Sequence, residues 1–226
     1  MSLGSYIQKA FYFIRNRYAP RGANICFTST GEDLLIKQAL RIFKISKPTY
    51  IDIGCHHPVF GNVTYLFYKN GSSGIVVEPN DSLCRIIRSK RNRDVCINAG
   101  VGKINGNAEF YKFIQDTRST FSKNQADEWR KLSHQEYTTE SIPLLSLDTI
   151  IDTHNNKKSP DLISIDTEGF EEEILSGFSW KYRPKIFCIE SAGRKDSLIL
   201  FFKSKNYAVY ADTPANTIFI DIMSIQ

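Results

Sequence analysis

The chain contains a short apolar run that stops on an acid and turns directly into a helix. This unit, Asp161-Leu-Ile-Ser-Ile-Asp-Thr-Glu-Gly-Phe170, constrains the fold more than any other. Leu162 to Ile165 has the length and composition of a strand buried on both faces, and Asp166 ends it. Phe170, Ile174, Leu175 and Phe178 then recur at helical spacing, so the helix lays one apolar face back on a sheet. The same layout occurs upstream at Tyr50-Ile-Asp-Ile-Gly-Cys-His-His57. Open α/β sheets hold their ligands at the carboxyl ends of parallel strands. Two such ends in one sheet predict a ligand site with chemistry beside it.

Other segments extend the alternation. Apolar positions 34, 35, 39, 42 and 43 form a helical stripe that opens on Glu32 and Asp33, acids suited to a helix start. Asn62 reads as the cap of a helix after the first strand, and Ile75 to Glu78 as a second buried strand. Asn80 would cap the next helix, and Val95 to Asn98 gives a third strand. Ala108 to Phe113 alternates like an exposed strand. Residues 114–140 are polar around Trp129 and read as a mobile insertion over the sheet edge. Ser146 begins a short helix, Lys185 to Glu190 is a strand, and Asn206 suits a left-handed helix end. The last strands close as a hairpin around Pro214. These elements predict an α/β fold: a seven-stranded, mostly parallel Rossmann-like sheet with an antiparallel edge strand and helices on both faces.

At 226 residues the chain suits one elaborated α/β domain over about 28–226, preceded by a helical extension over 1–27. Tyr6, Ile7, Phe11 and Phe13 of that extension are interrupted by Lys9, Arg15 and Arg17. This pattern fits neither a signal peptide nor a membrane span, and the expected setting is the cytoplasm. A helix packed on the domain or on a second subunit fits it better than a surface anchor; the second reading hints at a homodimer and leaves the oligomeric state open. The net charge of +5 is too weak and scattered for a nucleic-acid partner. Arg85 to Arg93 reads as a solvated helix face, with a phosphate-bearing partner as the alternative. Five cysteines without a CxxC pair fit a reducing compartment.

The first strand loop discriminates between ligands. Dinucleotide binding wants three close glycines, because backbone must approach a pyrophosphate. Here Gly54 is followed by Cys55, His56, His57 and Pro58. Glu78, ending the second strand, is placed to accept two ribose hydroxyls. Asp52, Gly54 and Glu78 together favour an adenosine without phosphates and with a cationic amino-acid tail. S-adenosylmethionine has that chemistry, its adenine falling near the end of the third strand.

In this light the chain resembles the FkbM family of S-adenosylmethionine-dependent methyltransferases. The matching residues are Gly31-Glu-Asp-Leu-Leu-Ile36, Tyr50-Ile-Asp-Ile-Gly-Cys-His-His-Pro58, Asn62-Val-Thr-Tyr65, Val77-Glu-Pro-Asn80 and Asn98-Ala-Gly100. Thr120-Phe-Ser122, Ile163-Ser-Ile-Asp-Thr-Glu-Gly169, Tyr182-Arg-Pro184 and Ile189-Glu190 continue the match. Cys55 stands where such proteins often have Ala, and Thr167 where Val is common. The resemblance implies a class I methyltransferase fold and O-methylation, often of sugar or polyketide hydroxyls. It covers residues 28 to 191 and says little beyond them.

The expected cofactor contacts are Asp52, Gly54, Cys55, His56, Glu78, Pro79, Asn80, Asn98, Ala99, Gly100 and Asp166. Transfer to a hydroxyl also needs a base, or a metal that lowers the hydroxyl pKa. Asp166 is the first candidate, with holding the cofactor ammonium as its other reading. Glu190 could share a proton or a divalent ion with it, but two carboxylates are too few to infer a metal. His56 and His57 are further base candidates, unless they bond backbone. Thr120, Phe121, Ser122, His57 and Glu168 are the expected acceptor contacts, with helix capping as the alternative for Glu168. Arg118, Trp129 and Arg130 offer more contacts of the kind a glycan or small-molecule acceptor uses. Glu32 and Asp33 either open their helix or, as the resemblance suggests, face the site.

Overall fold

Two strands buried on both faces organise the molecule. The computed structural model describes residues 24–114, 116–191 and 193–225. The extension expected over 1–27 lies almost entirely outside them, and residues 24–27 are irregular. Strand β1 (Tyr50–Ile53) pairs parallel with β7 (Leu162–Ile165), Ile53 opposite Ile165. Asp161 fixes the register where the strands begin, its Oδ2 accepting from the Thr49 amide (2.7 Å) and hydroxyl (2.9 Å). β2 (Gly74–Val77) and β3 (Val95–Ile97) add on one side of β1, and β8 (Ile186–Glu190) on the far side of β7. The hairpin of β9 (Tyr207–Asp212) and β10 (Asn216–Asp221) closes that edge, with β10 antiparallel to β8. The order is β3-β2-β1-β7-β8-β10-β9, the expected mostly parallel sheet with an antiparallel edge. Connections leave β1 and β7 in opposite directions, so the topological switch point falls between them.

Strand alternation sorts the core into two layers. Ile51, Ile53, Ile163, Ile165, Phe187 and Ile189 face the helices Leu147–His154, Glu171–Gly177 and Lys195–Ser204. Tyr50, Leu162, Ile186 and Cys188 face Glu32–Ile42, Tyr65–Lys69 and Asp81–Lys90. No helix among the described residues is long and apolar enough to cross a membrane. All five cysteines are free thiols.

Three details differ from the sequence reading. Within the segment read as mobile, residues 116–140 are structured: Lys123–Ser133 is a helix, and Tyr137–Glu140 begins β6 (Tyr137–Ser146). β6 is the middle strand of a second sheet, between β4 (Gly100–Gly102) and β5 (Gly106–Phe113). Trp129 packs there with Tyr111, Phe113, Ala126 and Tyr137. Asn62 caps no helix, since the cap position is Thr64. Its side chain instead donates to Asp52 Oδ2 (3.1 Å) and accepts from the Thr64 amide (3.1 Å).

Arg91 is the third difference. Assigned to a solvated run, it is fully buried. It donates to Asn62 Oδ1 (2.9 Å), Thr64 Oγ1 (2.8 Å) and Asp94 Oδ2 (2.7 Å), and lies 3.8 Å from Asp52 Oδ2. A buried charge survives only when paired and hydrogen-bonded, and Arg91 is both.

Candidate functional site

A cavity of about 510 Å³ opens at the switch point. Its floor is where β1 and β7 end. Gly54 has φ +76°, and a Cβ there would lie 1.8 Å from the Asp166 carbonyl oxygen. Only glycine lets the two strand ends approach so closely. Gly54 and Asp166 are thereby held side by side.

One corner of the cavity is built around Glu78, which is buried. Its Oε2 accepts from the His56 amide (2.8 Å) and its Oε1 from the Asn80 amide (2.9 Å). Backbone thus fixes the carboxylate before any ligand arrives. Asn98 Nδ2 donates to the Glu78 (3.0 Å) and Pro79 (2.9 Å) carbonyls and holds the turn. Asn80 accepts from the Ser82 amide and caps the following helix, as expected. Ala99 and Gly100 continue the wall. Gly100 is tight: a Cβ would sit 2.4 Å from Phe121 Cζ, and Phe121 in turn packs on Phe110 with ring centroids 4.8 Å apart. The two rings give this end an aromatic face.

The other corner is acidic. Oxygens of Asp166, Glu168 and Glu190 all lie within 4.8 Å of one another, a spacing that a hard cation could bridge. Asp166 is open to the cavity yet recessed, and desolvation first, then Glu168, Glu171 and Asp52, push its carboxyl up to about 7. Burial first, then Asp166, Glu168 and Glu171, push Glu190 up to about 9 against the pull of Arg194. Glu168 is raised as well, by burial, against the pull of Arg118. Glu171, fully buried, accepts from the Thr167 amide (2.8 Å) and hydroxyl (2.9 Å) and pairs with Arg194 at 2.6 Å. It shapes the Asp166–Gly169 turn, a role separate from the Glu168 carboxylate.

Of the sequence-proposed residues, Gly54, Cys55, His56, His57, Glu78, Pro79, Asn80, Ala99, Gly100, Thr120, Phe121, Asp166 and Glu168 line this one cavity. Asp52, Asn98, Ser122 and Glu190 stand behind the wall. Asp52 shares the Tyr50 face of β1 and is turned toward Arg91, Asn62 and Thr64. Ser122 caps the helix Lys123–Ser133 through the Gln125 amide. Glu190 does not line the cavity but lies close behind Asp166 and Glu168, which do. Glu32 and Asp33 lie elsewhere: Glu32 accepts from Thr213 Oγ1 (2.9 Å) and Asn216 Nδ2 (3.2 Å), and Asp33 from the Phe27 amide (2.8 Å).

The His57 Nδ1 accepts from the amides of Val59 (3.1 Å) and Phe60 (3.0 Å), so that nitrogen shapes the loop. Phe60, Phe110, Thr117 and Ser119 also line the cavity and were not anticipated. Only the position of Phe60, three residues after His57 in a site loop, was a signal.

The Methyltransferase FkbM domain matches residues 52–209, well over half of the chain. The chain belongs to the FkbM methyltransferase family. That match spans both corners of the cavity. The chain is also similar to solved structures at low identity. A TehB-like SAM-dependent methyltransferase from Corynebacterium glutamicum is 10% identical, with 96% of this chain and 99% of that one covered and a TM-score of 0.43. An O-methyltransferase from Bacillus cereus in complex with SAH is 12% identical, over 95% and 89% of the chains, with a TM-score of 0.39. A putative RNA methyltransferase from Pyrococcus horikoshii is 9% identical, over 84% of each, with a TM-score of 0.45. No curated protein matches the chain significantly.

Proposed function

We propose that this FkbM-family methyltransferase transfers a methyl group from S-adenosylmethionine to a hydroxyl of a sugar, glycan or related small biosynthetic intermediate. One observation carries the reading: a backbone-fixed acid, Glu78, and a crowded acid, Asp166, with Glu190 behind it, stand at opposite corners of one cavity with Gly54 between them.

The residues fit that cofactor. Glu78 keeps its carboxylate oriented for the two ribose hydroxyls. The aromatic face of Phe110 and Phe121, beside Ala99 and Gly100, suits the adenine, and the Gly54 loop suits the amino-acid tail. A cavity of about 510 Å³ is ample for a ligand of this size. When bound, the cofactor supplies an electrophilic methyl group on a sulfonium.

The chain's own residues would do the rest. Holding acceptor and methyl donor in line can contribute roughly 7–11 kcal/mol. Asp166, with a carboxyl near 7, is poised to accept the hydroxyl proton at its cavity-facing oxygen, with Glu190 behind it sharing the load. Residues 28–226 would act as one catalytic domain, with Thr117, Ser119 and Thr120 of the insertion beside the acceptor.

The test is an acceptor screen with methyl-labelled S-adenosylmethionine against monosaccharides, glycosides, polyketide alcohols and amines, scored by mass spectrometry. Labelled methyl ethers on sugar-class acceptors, absent with Asp166→Asn, support the reading. Transfer only to nitrogen, or undiminished transfer by Asp166→Asn, overturns it.

A further inference from the structure

The insertion meets the acidic corner through one cation. Arg118 ends the 3₁₀ turn Asp116–Arg118. Its Nη1 donates to Glu168 Oε2 at 3.1 Å, and its guanidinium lies 4.5 Å from the centre of the Trp129 ring. Two residues on, Thr120 Oγ1 donates to the Glu168 carbonyl at 2.8 Å. Side chain and main chain of Glu168 are therefore held by the same segment. Glu168 has φ +53°, a left-handed conformation that a residue with a side chain keeps only when its surroundings impose it.

Sequence reasoning offered Arg118 to the acceptor, yet its charge is paired with Glu168 while the side chain stays partly exposed. We propose that Arg118 is a positioning residue for the methyl-transfer site: stacked on Trp129, it holds the Glu168 carboxylate beside Asp166 and Glu190 and ties the segment 116–122 over the cavity. This rests on the reading of Asp166 and Glu190 as the proton-handling pair. Five charged groups surround Glu168: Asp166 at the end of β7, Glu171 on the following helix, Glu190 at the end of β8, Arg194 before the last helix, and Arg118. Among the described residues Arg118 is the cation that ion-pairs with Glu168, while Arg194 is engaged by Glu171 at 2.6 Å. Of the three crowded acids Glu168 is the one whose carboxylate oxygen Arg118 holds, and that pairing turns it within the acidic corner. The acidic corner then meets the acceptor with carboxylate oxygens rather than a guanidinium. Neutral polyols suit that surface, and phosphate or carboxylate groups are repelled by it.

The test is a carboxyl ¹³C NMR titration of protein labelled at glutamate, with Glu168 assigned through Glu168→Gln. Arg118→Met removes the charge but keeps a stem over Trp129, and Arg118→Gln serves if the Met variant unfolds. The Glu168 midpoint is expected to rise by about half a unit to one unit in either variant, the partly exposed pair being screened by solvent. Arg118→Lys should restore it. In 5-fluorotryptophan protein, Arg118→Ala should shift the Trp129 ¹⁹F resonance and leave that of Trp180. A Glu168 midpoint unmoved in folded Met or Gln variants overturns the proposal, and so does a Lys variant indistinguishable from them. Titration with S-adenosylhomocysteine separates the two readings: wild-type protein that fails to bind it contradicts the cofactor assignment, whatever Glu168 does.

Discussion

Glu78 and Asp166 are acids at the ends of neighbouring regions of one sheet, and their surroundings are opposite. Both oxygens of Glu78 accept from backbone amides, those of His56 and Asn80. Asp166 is crowded by Glu168 and Glu190, with Glu171 behind, so desolvation and repulsion favour its protonated form. A fixed, satisfied acid is suited to recognising hydroxyls. A crowded acid that gains and loses a proton near neutrality is suited to chemistry. The position at a strand end is shared, and the neighbours assign the work.

Several substitutions break or sharpen this contrast. The largest effect is expected at the residue joining the corners. Gly54→Ala would drive a Cβ into the Asp166 carbonyl, destabilising the fold by about 3 kcal/mol or more and abolishing cofactor binding, as read by thermal melting and calorimetry. Asp166→Asn should separate the corners: turnover of a screened acceptor falls by at least about 10²-fold while cofactor affinity stays within a few-fold. A parallel loss of affinity would place Asp166 on the cofactor ammonium instead.

Glu190→Gln tests the acidic corner through pH. A carboxyl raised in the folded state binds more protons there than in the unfolded chain, so its contribution is present at low pH and is lost as pH rises toward about 9. Removing that carboxyl should raise the melting temperature at pH 8 by roughly 2–4 °C and change it little at pH 5. Equal shifts at both would show that repulsion is absent. The smallest effect is expected for Thr120→Val, which removes one hydrogen bond to the Glu168 carbonyl. It should cost about 1 kcal/mol in denaturant unfolding and leave cofactor affinity unchanged.

The sheet was legible because its strands are apolar runs closed by Asp, Glu or Gly, a pattern that length and β-branching separate from helix. Gly54, Glu78 and Asp166 were legible for the same reason. What the pattern withheld was direction. Asp52 sits two residues before Gly54 but on the Tyr50 face of its strand, so it braces Arg91 rather than lining the cavity. Arg91 itself gave no signal, since burial of an arginine depends on Asp94, Asn62 and Thr64 converging in space. The helix Lys123–Ser133 was hidden by its polarity: among its residues only Ala126 is buried. Glu171, followed by Glu172 and Glu173, carried no signal of its own, yet of the three it is the buried one that holds Thr167 and Arg194.

The account is tested most directly by calorimetric titration of S-adenosylhomocysteine into wild-type protein and Glu78→Ala, with Asp166→Asn as the comparison. The expected result is micromolar binding by wild type and Asp166→Asn, and a loss of about tenfold or more in Glu78→Ala, since one charge-assisted pair contributes roughly 1.5–3 kcal/mol. Folded wild-type protein that binds nothing, or a Glu78→Ala variant that binds as well as wild type, would contradict it.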